Sequence, residues 1–285
     1  MTIPGYYGVS TAKKRLGGLR IGATSYVMPC SLLENVQNLA GRVDDIELIL
    51  FDLAGGWSNL PSERDVAELK RLALAHGHTY TVHLPMDIHF VGSVAENCSL
   101  AKAKLVIGCT LALKPWAYVT HLEAKGIRST RDSAKLRKWE KQARRALDFV
   151  SALAGDSRLI AVENLDGHPP ELVENISSQT GCSRCVDIGH LWHDKHDPLP
   201  FLERAAKQLR VIHCHGVAGR DHASLARQDR RQLEQVIGWC ERQRFGGVFT
   251  IEVFSDAEYQ ESLKAIEEAR DALAKDRKEG STKKT

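Results

Sequence analysis

Short apolar runs alternate along this chain with longer stretches in which apolar residues recur at helical spacing. Runs at Leu19 to Thr24, Ile46 to Phe51, Thr79 to Leu84, Ala117 to Leu122, Arg158 to Glu163, Arg184 to Ile188, Arg210 to Cys214 and Val248 to Phe254 predict eight strands. Amphipathic patterns between them predict helices at Ser31 to Leu39, Ser62 to His76, Ser93 to Cys109, Asp132 to Ala154, Pro170 to Ser178, Pro198 to Gln208 and Asp229 to Gln243. A final helix is expected from Asp256 to Ala274. Ser31 and Ser62 are helix-capping residues at the right places.

Eight strand and helix alternations predict a closed parallel barrel of α/β class, a single (β/α)8 TIM barrel, because each parallel return needs a crossover that covers the strand's outer face. The competing architecture is an open doubly wound sheet. No Gly-rich phosphate loop follows the first strand, and eight units is the number that closes. The barrel is expected over residues 19–275, with a short N-terminal arm at 1–18 and a flexible, disordered basic tail at 276–285.

Composition narrows the class without choosing a chemistry. With 43% hydrophobic and 26% charged residues, the 285-residue chain has ordinary globular proportions, and a formal net charge of +3 points to no polyanionic partner. No run is long or apolar enough to span a membrane and no secretory pattern opens the chain, so a cytoplasmic protein is expected. Seven cysteines, an odd number, read as reduced thiols, several of them in the core; the Cys182 and Cys185 pair is a C-x-x-C that could be a redox or zinc half-site, but with no second pair and a strand after it, it reads as structural.

The chemistry gathers in the stretch from Ser183 to His222, which holds half of the twelve histidines. In a parallel barrel the residues at the C-terminal strand ends carry function. Those positions here are His83, His121, Glu163, Asp187 with His190, His213 with His215, and Glu252, followed by Asp221 and His222 in a loop. Alternation along a strand puts Thr81 with His83, Ala161 with Glu163, His213 with His215 and Thr250 with Glu252 on one inward face. Converging buried carboxylates need cations, and imidazole plus carboxylate suits zinc, manganese or iron better than calcium or magnesium. Tyr26, Trp57, Asp87, His89, Trp116, Trp192 and His215 are candidate pocket residues around the rim, and Glu47, mid-strand, needs a His or Arg partner if it faces inward.

This pattern resembles the xylose-isomerase-like barrel superfamily, which includes sugar isomerases and epimerases and endonuclease IV. Likeness to the sugar isomerases implies a divalent-ion set of Glu163, Asp187, His213 and Glu252. Likeness to endonuclease IV implies three zinc ions on His83, His121, Glu163, Asp187, His190, His213, Asp221, His222 and Glu252. The endonuclease pattern has a residue between its aspartate and histidine where Asp221 and His222 are adjacent, and His215 could take the place of one of them. The stretches GATSYVMP, TYTVHLPMD, PWAYVTHL, VENLDG, SRCVDIGHLW, RVIHCHGV, RDHASL and TIEVF resemble, more narrowly, the cobamide-remodelling phosphodiesterases.

That resemblance implies a metal-dependent phosphodiesterase opening the nucleotide loop of a cobamide, with two or three ions, a small corrinoid as substrate, and no membrane or nucleic-acid partner. Glu163 and Glu252 are the expected catalytic carboxylates, with Tyr26, Asp87, His89, Trp192 and His215 at the substrate. A sugar isomerase or epimerase would use Glu163 and Glu252 as proton shuttles and leave several histidines without a role. Apurinic-site repair would need the basic run Arg137, Lys138, Lys141, Arg144 and Arg145, which reads as a solvated helix face. A corrinoid-binding protein without turnover is the remaining alternative, and the oligomeric state is open.

Overall fold

Each predicted strand run pairs with its sequence neighbours in parallel, and the first and last meet. The computed structural model describes residues 18–53, 56–85, 87–88, 90, 98–124 and 126–282. The strands are β1 Arg20–Thr24, β2 Asp45–Ile49, β3 Thr79–His83, β4 Tyr118–Thr120, β5 Ile160–Glu163, β6 Ser183–Asp187, β7 Leu209–Cys214 and β8 Val248–Ile251. They close in the order β1-β2-β3-β4-β5-β6-β7-β8. The closing seam pairs Gly22 with Thr250, and a Cβ on Gly22 would lie 2.9 Å from Val248 Cγ1 and 3.0 Å from Thr250 Oγ1. A side chain there would hold β1 and β8 apart.

The outer layer comprises α1 Leu32–Leu39, α2 Glu63–His76, α3 Cys98–Thr110, α4 Ser133–Ala154, α5 Glu171–Thr180, α6 Ile188–His193, α7 Pro198–Ala205, α8 Arg230–Gln243 and α9 Asp256–Thr282. Capping boxes start α1 and α2: Ser31 pairs with Glu34 and Ser62 with Asp65, satisfying backbone N–H groups that a helix start leaves open. The apolar stripe of each helix packs on the strands' outward residues, as Val36 and Leu39 of α1 and Leu69 and Leu72 of α2 do.

Inside the barrel a small apolar plug of Ala117, Val119, Ala161, Cys185 and Val211 fills the lower part. Along β5, β6 and β7 the next inward residues above it are Glu163, Asp187 and His213, so the strand alternation that makes the plug also lifts the ionisable groups to the C-terminal rim.

The differences from expectation lie at element ends. Strands β4 and β8 stop at Thr120 and Ile251, so His121 and Glu252 sit just past the paired ladder. The helix α6 was not expected; Asp187 caps it by accepting from the His190 N–H at 2.7 Å, which turns the chain immediately after β6. The final helix continues to Thr282, beyond the Ala274 expected, so 276–282 is helical where a disordered tail was expected; its charged residues find partners across α8, where Arg270 and Arg277 both pair with Glu241. Residues 1–17 of the arm expected at 1–18, the start of the third helix at Ser93 and the last three residues lie outside the described residues. Among the described residues no helix is long and apolar enough to cross a membrane. The cysteines are free thiols, and Cys182, Cys185, Cys214 and Cys240 are buried, in line with several being expected in the core.

Candidate metal centre

Three groups of side chains stand side by side on the rim. The first is His83, His121 and Glu163, the second Glu163, Asp187, His213 and Glu252, and the third His190, His215, Asp221 and His222, while Cys185, in the plug beneath, forms a fourth with Glu163 and His213; within each, one potential ligand atom per residue lies within 4.8 Å of the others. All nine residues expected as metal ligands fall within these groups, and His215 joins the third.

Glu163 connects the first two groups. Its Oε2 lies 3.1 Å from His121 Nε2 and 3.5 Å from His83 Nε2, while Oε1 lies 3.1 Å from His213 Nδ1. Glu252 Oε2 is also 3.1 Å from His213 Nδ1 and 3.8 Å from His222 Nε2, reaching from the second group toward the third. Asp187 does the same, with Oδ1 3.4 Å from His215 Nε2.

The rings are aimed by partners outside the groups, which fixes the nitrogen each presents. His83 Nδ1 donates to the Leu84 carbonyl at 2.9 Å, and His190 Nδ1 to the Asn164 carbonyl at 3.0 Å. His121 Nδ1 meets Asp87 Oδ1 at 3.1 Å. His213 is turned the other way: its Nε2 donates to Glu47 Oε2 at 2.9 Å, so Nδ1 faces the group. Glu47 thus finds the inward histidine partner its position required.

Two residues that sequence reasoning missed build this arrangement. Asn164 follows Glu163 and clamps β5 to β6, its Oδ1 accepting from Asp187 N–H at 3.0 Å and its Nδ2 donating to Asp187 carbonyl at 2.9 Å. Gly189 leaves room for the His215 ring, since a Cβ there would lie 2.1 to 2.3 Å from three of its atoms. A polar residue right after a strand-end carboxylate, and a glycine between an aspartate and a histidine, were the available signals.

The adjacency of Asp221 and His222 is resolved by backbone geometry. Consecutive extended residues point apart, but His222 has a φ of 53°, in the left-handed region that costs a non-glycine residue about 1 kcal/mol or more. That turn folds its ring back over His215, with centroids 4.3 Å apart, and leaves Nδ1 3.2 Å from Asp221 Oδ2.

Charges in the centre shift one another strongly. Burial opposes a charged His121, but the Glu163 and Asp87 carboxylates overcome it and push it up to about 10. Burial likewise opposes charge on His190 and His215; Asp187, with Asp221 and Glu163, carries His190 up to about 11, and Asp187, with Glu252 and Asp221, carries His215 up to about 9. Against the same penalty, Cys185, Glu47, Glu163 and Glu252 carry His213 well above its ordinary value. Burial would raise Glu163 and Glu252, but the neighbouring histidines, His213 foremost, hold both well below the usual carboxylate range. The His190 ring beside Asp221 holds that carboxyl low as well.

Divalent ions fit this donor set. Asp187 Oδ2, His215 Nε2, Asp221 Oδ1 and Glu252 Oε2 are buried without a hydrogen-bond partner among the described residues, and each belongs to one of the groups. Buried polar atoms left without a hydrogen bond are costly, and an ion held by these carboxylates and by the neutral form of His215 would satisfy them.

The expected substrate contacts divide. Tyr26 is exposed on the rim, edge-on to Phe254 at 6.3 Å, and Asp87 is half exposed behind His121. Trp57 is exposed in the loop after β2. Three placements differ from expectation. His215 is fully buried, its ring in the space over Gly189, and it groups with His190, Asp221 and His222. Trp192 packs into the core from α6 instead of lining the rim. Trp116 precedes β4 and so lies at the opposite end of the barrel, between the Arg20 and Arg210 guanidiniums at 4.4 and 4.3 Å. His89 lies outside the described residues.

With this geometry in hand, comparison with known proteins is direct. Residues 41–275 match the family described as xylose isomerase-like TIM barrel. The chain belongs to that family. No curated protein matches it in sequence. Among solved structures, a D-tagatose 3-epimerase-like protein superposes with a TM-score of 0.72 at 18% identity, over 90% of this chain and 99% of that one. Endonuclease IV from Thermus thermophilus superposes with a TM-score of 0.68 at 17% identity, over 89% and 99%. An L-ribulose 3-epimerase gives 0.66 at 16% identity, over 90% and 97%. At these identities the likeness to each structure is one of fold.

Proposed function

We propose that this chain is a metal-dependent phosphodiesterase that hydrolyses the nucleotide loop of cobamides. The observation that carries the reading is that Glu163 faces two groups at once, with a third group completed beside them by His190, His215, Asp221 and His222. Phosphodiester hydrolysis develops negative charge at the attacking oxygen, the non-bridging oxygens and the departing alkoxide. Divalent ions held in these groups, zinc foremost and manganese or iron with the same donors, would supply positive charge there and lower the pKa of an attacking water.

The chain's own residues prepare that chemistry. Asp87, the Leu84 carbonyl, the Asn164 carbonyl and Glu47 hold the outer nitrogens of His121, His83, His190 and His213, so the other nitrogen of each ring stays aimed at its group. Glu163 keeps both oxygens committed, one to each neighbouring group, and Glu252 borders the second and third. Tyr26 and Phe254 offer exposed rings at the rim for a large substrate.

An epimerase reading is served by the second group alone and leaves His83, His121, His190 and His222 without work. The basic residues Arg137, Lys138, Lys141, Arg144 and Arg145 are exposed on the outward face of α4, the arrangement of a solvated helix, which favours a small corrinoid over nucleic acid. The test is to incubate zinc-loaded protein with a cobamide, following lower-ligand loss by absorbance and the products by mass. A corrinoid freed of its nucleoside is expected from the wild type and none from Glu163→Gln at unchanged circular dichroism. Epimerised ketose with an intact cobamide would move the function to the epimerase reading.

A further inference from the structure

The phosphodiesterase reading leaves Glu47 without a catalytic task. It sits in the middle of β2, below the rim, fully buried inside the barrel. Its Oε2 accepts from His213 Nε2 at 2.9 Å, and its Oε1 has no hydrogen-bond partner among the described residues. A buried carboxylate with one unsatisfied oxygen is poor structural material, since a well-packed apolar residue of similar volume commonly serves stability as well or better. Its directly paired neighbour on β3, Thr81, is buried as well and forms no hydrogen bond to Glu47.

What Glu47 does is decide which way His213 faces. His83, His121 and His190 tie Nδ1 to a carbonyl or carboxylate, whereas His213 ties Nε2 to Glu47. Its Nδ1 is thereby left 3.1 Å from both Glu163 Oε1 and Glu252 Oε2, at the centre of the second group. We infer that Glu47 is a positioning residue for the second ion: by accepting the Nε2 proton of His213 it presents the Nδ1 lone pair to that ion and makes it a stronger donor. The inference rests on the second group holding an ion, and it concerns how one of that ion's ligands is oriented from inside the barrel. Ligating histidines are commonly oriented this way, and loss of such a partner typically costs about 10- to 100-fold in metal affinity.

Two variants separate orientation from packing. Glu47→Gln keeps an acceptor oxygen for the Nε2 proton, and Glu47→Leu removes it at similar volume. Competition of each with a chromophoric chelator for zinc reads the affinity of every ion in turn. The Leu variant is expected to lose about 10- to 100-fold at one ion and to keep the affinity of the others, with the Gln variant recovering most of the loss. Equal affinities for Leu and wild type, or equal losses for Leu and Gln, would overturn the inference. Long-range proton–nitrogen NMR of the zinc-loaded wild type needs no variant: His213 is expected to be protonated at Nε2 and ligated at Nδ1, and the reverse pattern would sink the idea even if the Leu chain fails to fold. Wild type that takes up no zinc at saturating concentration would instead remove the metal-centre reading itself, so the two failures are told apart.

Discussion

A single hydrogen atom at Gly189 sets the position of the third group. With ring atoms of His215 2.1 to 2.3 Å from where a Cβ would stand, Gly189→Ala must push the imidazole away or shift α6. Overpacking of this kind costs about 1–3 kcal/mol. The expected outcome is a lower melting temperature and a protein that binds one ion fewer by elemental analysis, with the first two groups still filled; full occupancy would show that His215 is not held by this contact. At this scale the sequence was only partly readable. The expected ligands could be named because carboxylates and imidazoles at strand ends are rare enough to stand out. Asn164 and Gly189 were not named, since the local signals they carry gain meaning only from contacts between β5, β6 and β7. Trp116 and Trp192 were misplaced for the same reason: an aromatic beside a strand reads alike whether it precedes the strand, follows it or turns inward.

Among the elements, the junction of β5 and β6 carries the heaviest demand, because it delivers Glu163, Asp187 and His190 to different groups. Asn164 holds that junction by two hydrogen bonds to the backbone of Asp187, at 3.0 and 2.9 Å. Asn164→Ala removes both and leaves a buried N–H and carbonyl without partners, a loss of about 1–3 kcal/mol. Urea unfolding is expected to show a lower midpoint at unchanged slope, and hydrolysis should fall as Asp187 drifts. A variant as stable and active as wild type would assign the junction's rigidity to α6 instead. The strand and helix order was legible because each unit repeats the same switch of apolar period. Element ends were less so. Strands β4 and β8 end at Thr120 and Ile251, one residue before His121 and Glu252, and α6 arises from a cap that Asp187 provides while also standing in the second group.

Over the whole molecule, the barrel concentrates at one end charges it could not hold there singly. His121, His190 and His215, normally near 6.5, stand at about 10, 11 and 9 in the metal-free protein, so each carries a proton at neutral pH. An ion needs the free nitrogen, so loading must release protons, and apparent metal affinity must rise with pH up to that range. Calorimetric zinc titration in buffers of differing ionisation enthalpy is expected to show net proton release at pH 7; no buffer dependence would contradict it. The closed barrel was legible from the number of alternations, while this mutual adjustment of charge was not, because it depends on distances across the barrel. The division of Glu163 between two groups also shapes how a preparation behaves when ions are scarce. Where only one of the two groups held an ion, the other Glu163 oxygen would still face an imidazole, His121 at Oε2 or His213 at Oε1, that the surrounding carboxylates favour in its charged form. Undersupplied protein is therefore expected to include partly filled molecules, so that the metal content of a preparation would report the average filling of its molecules and not the fraction that is complete.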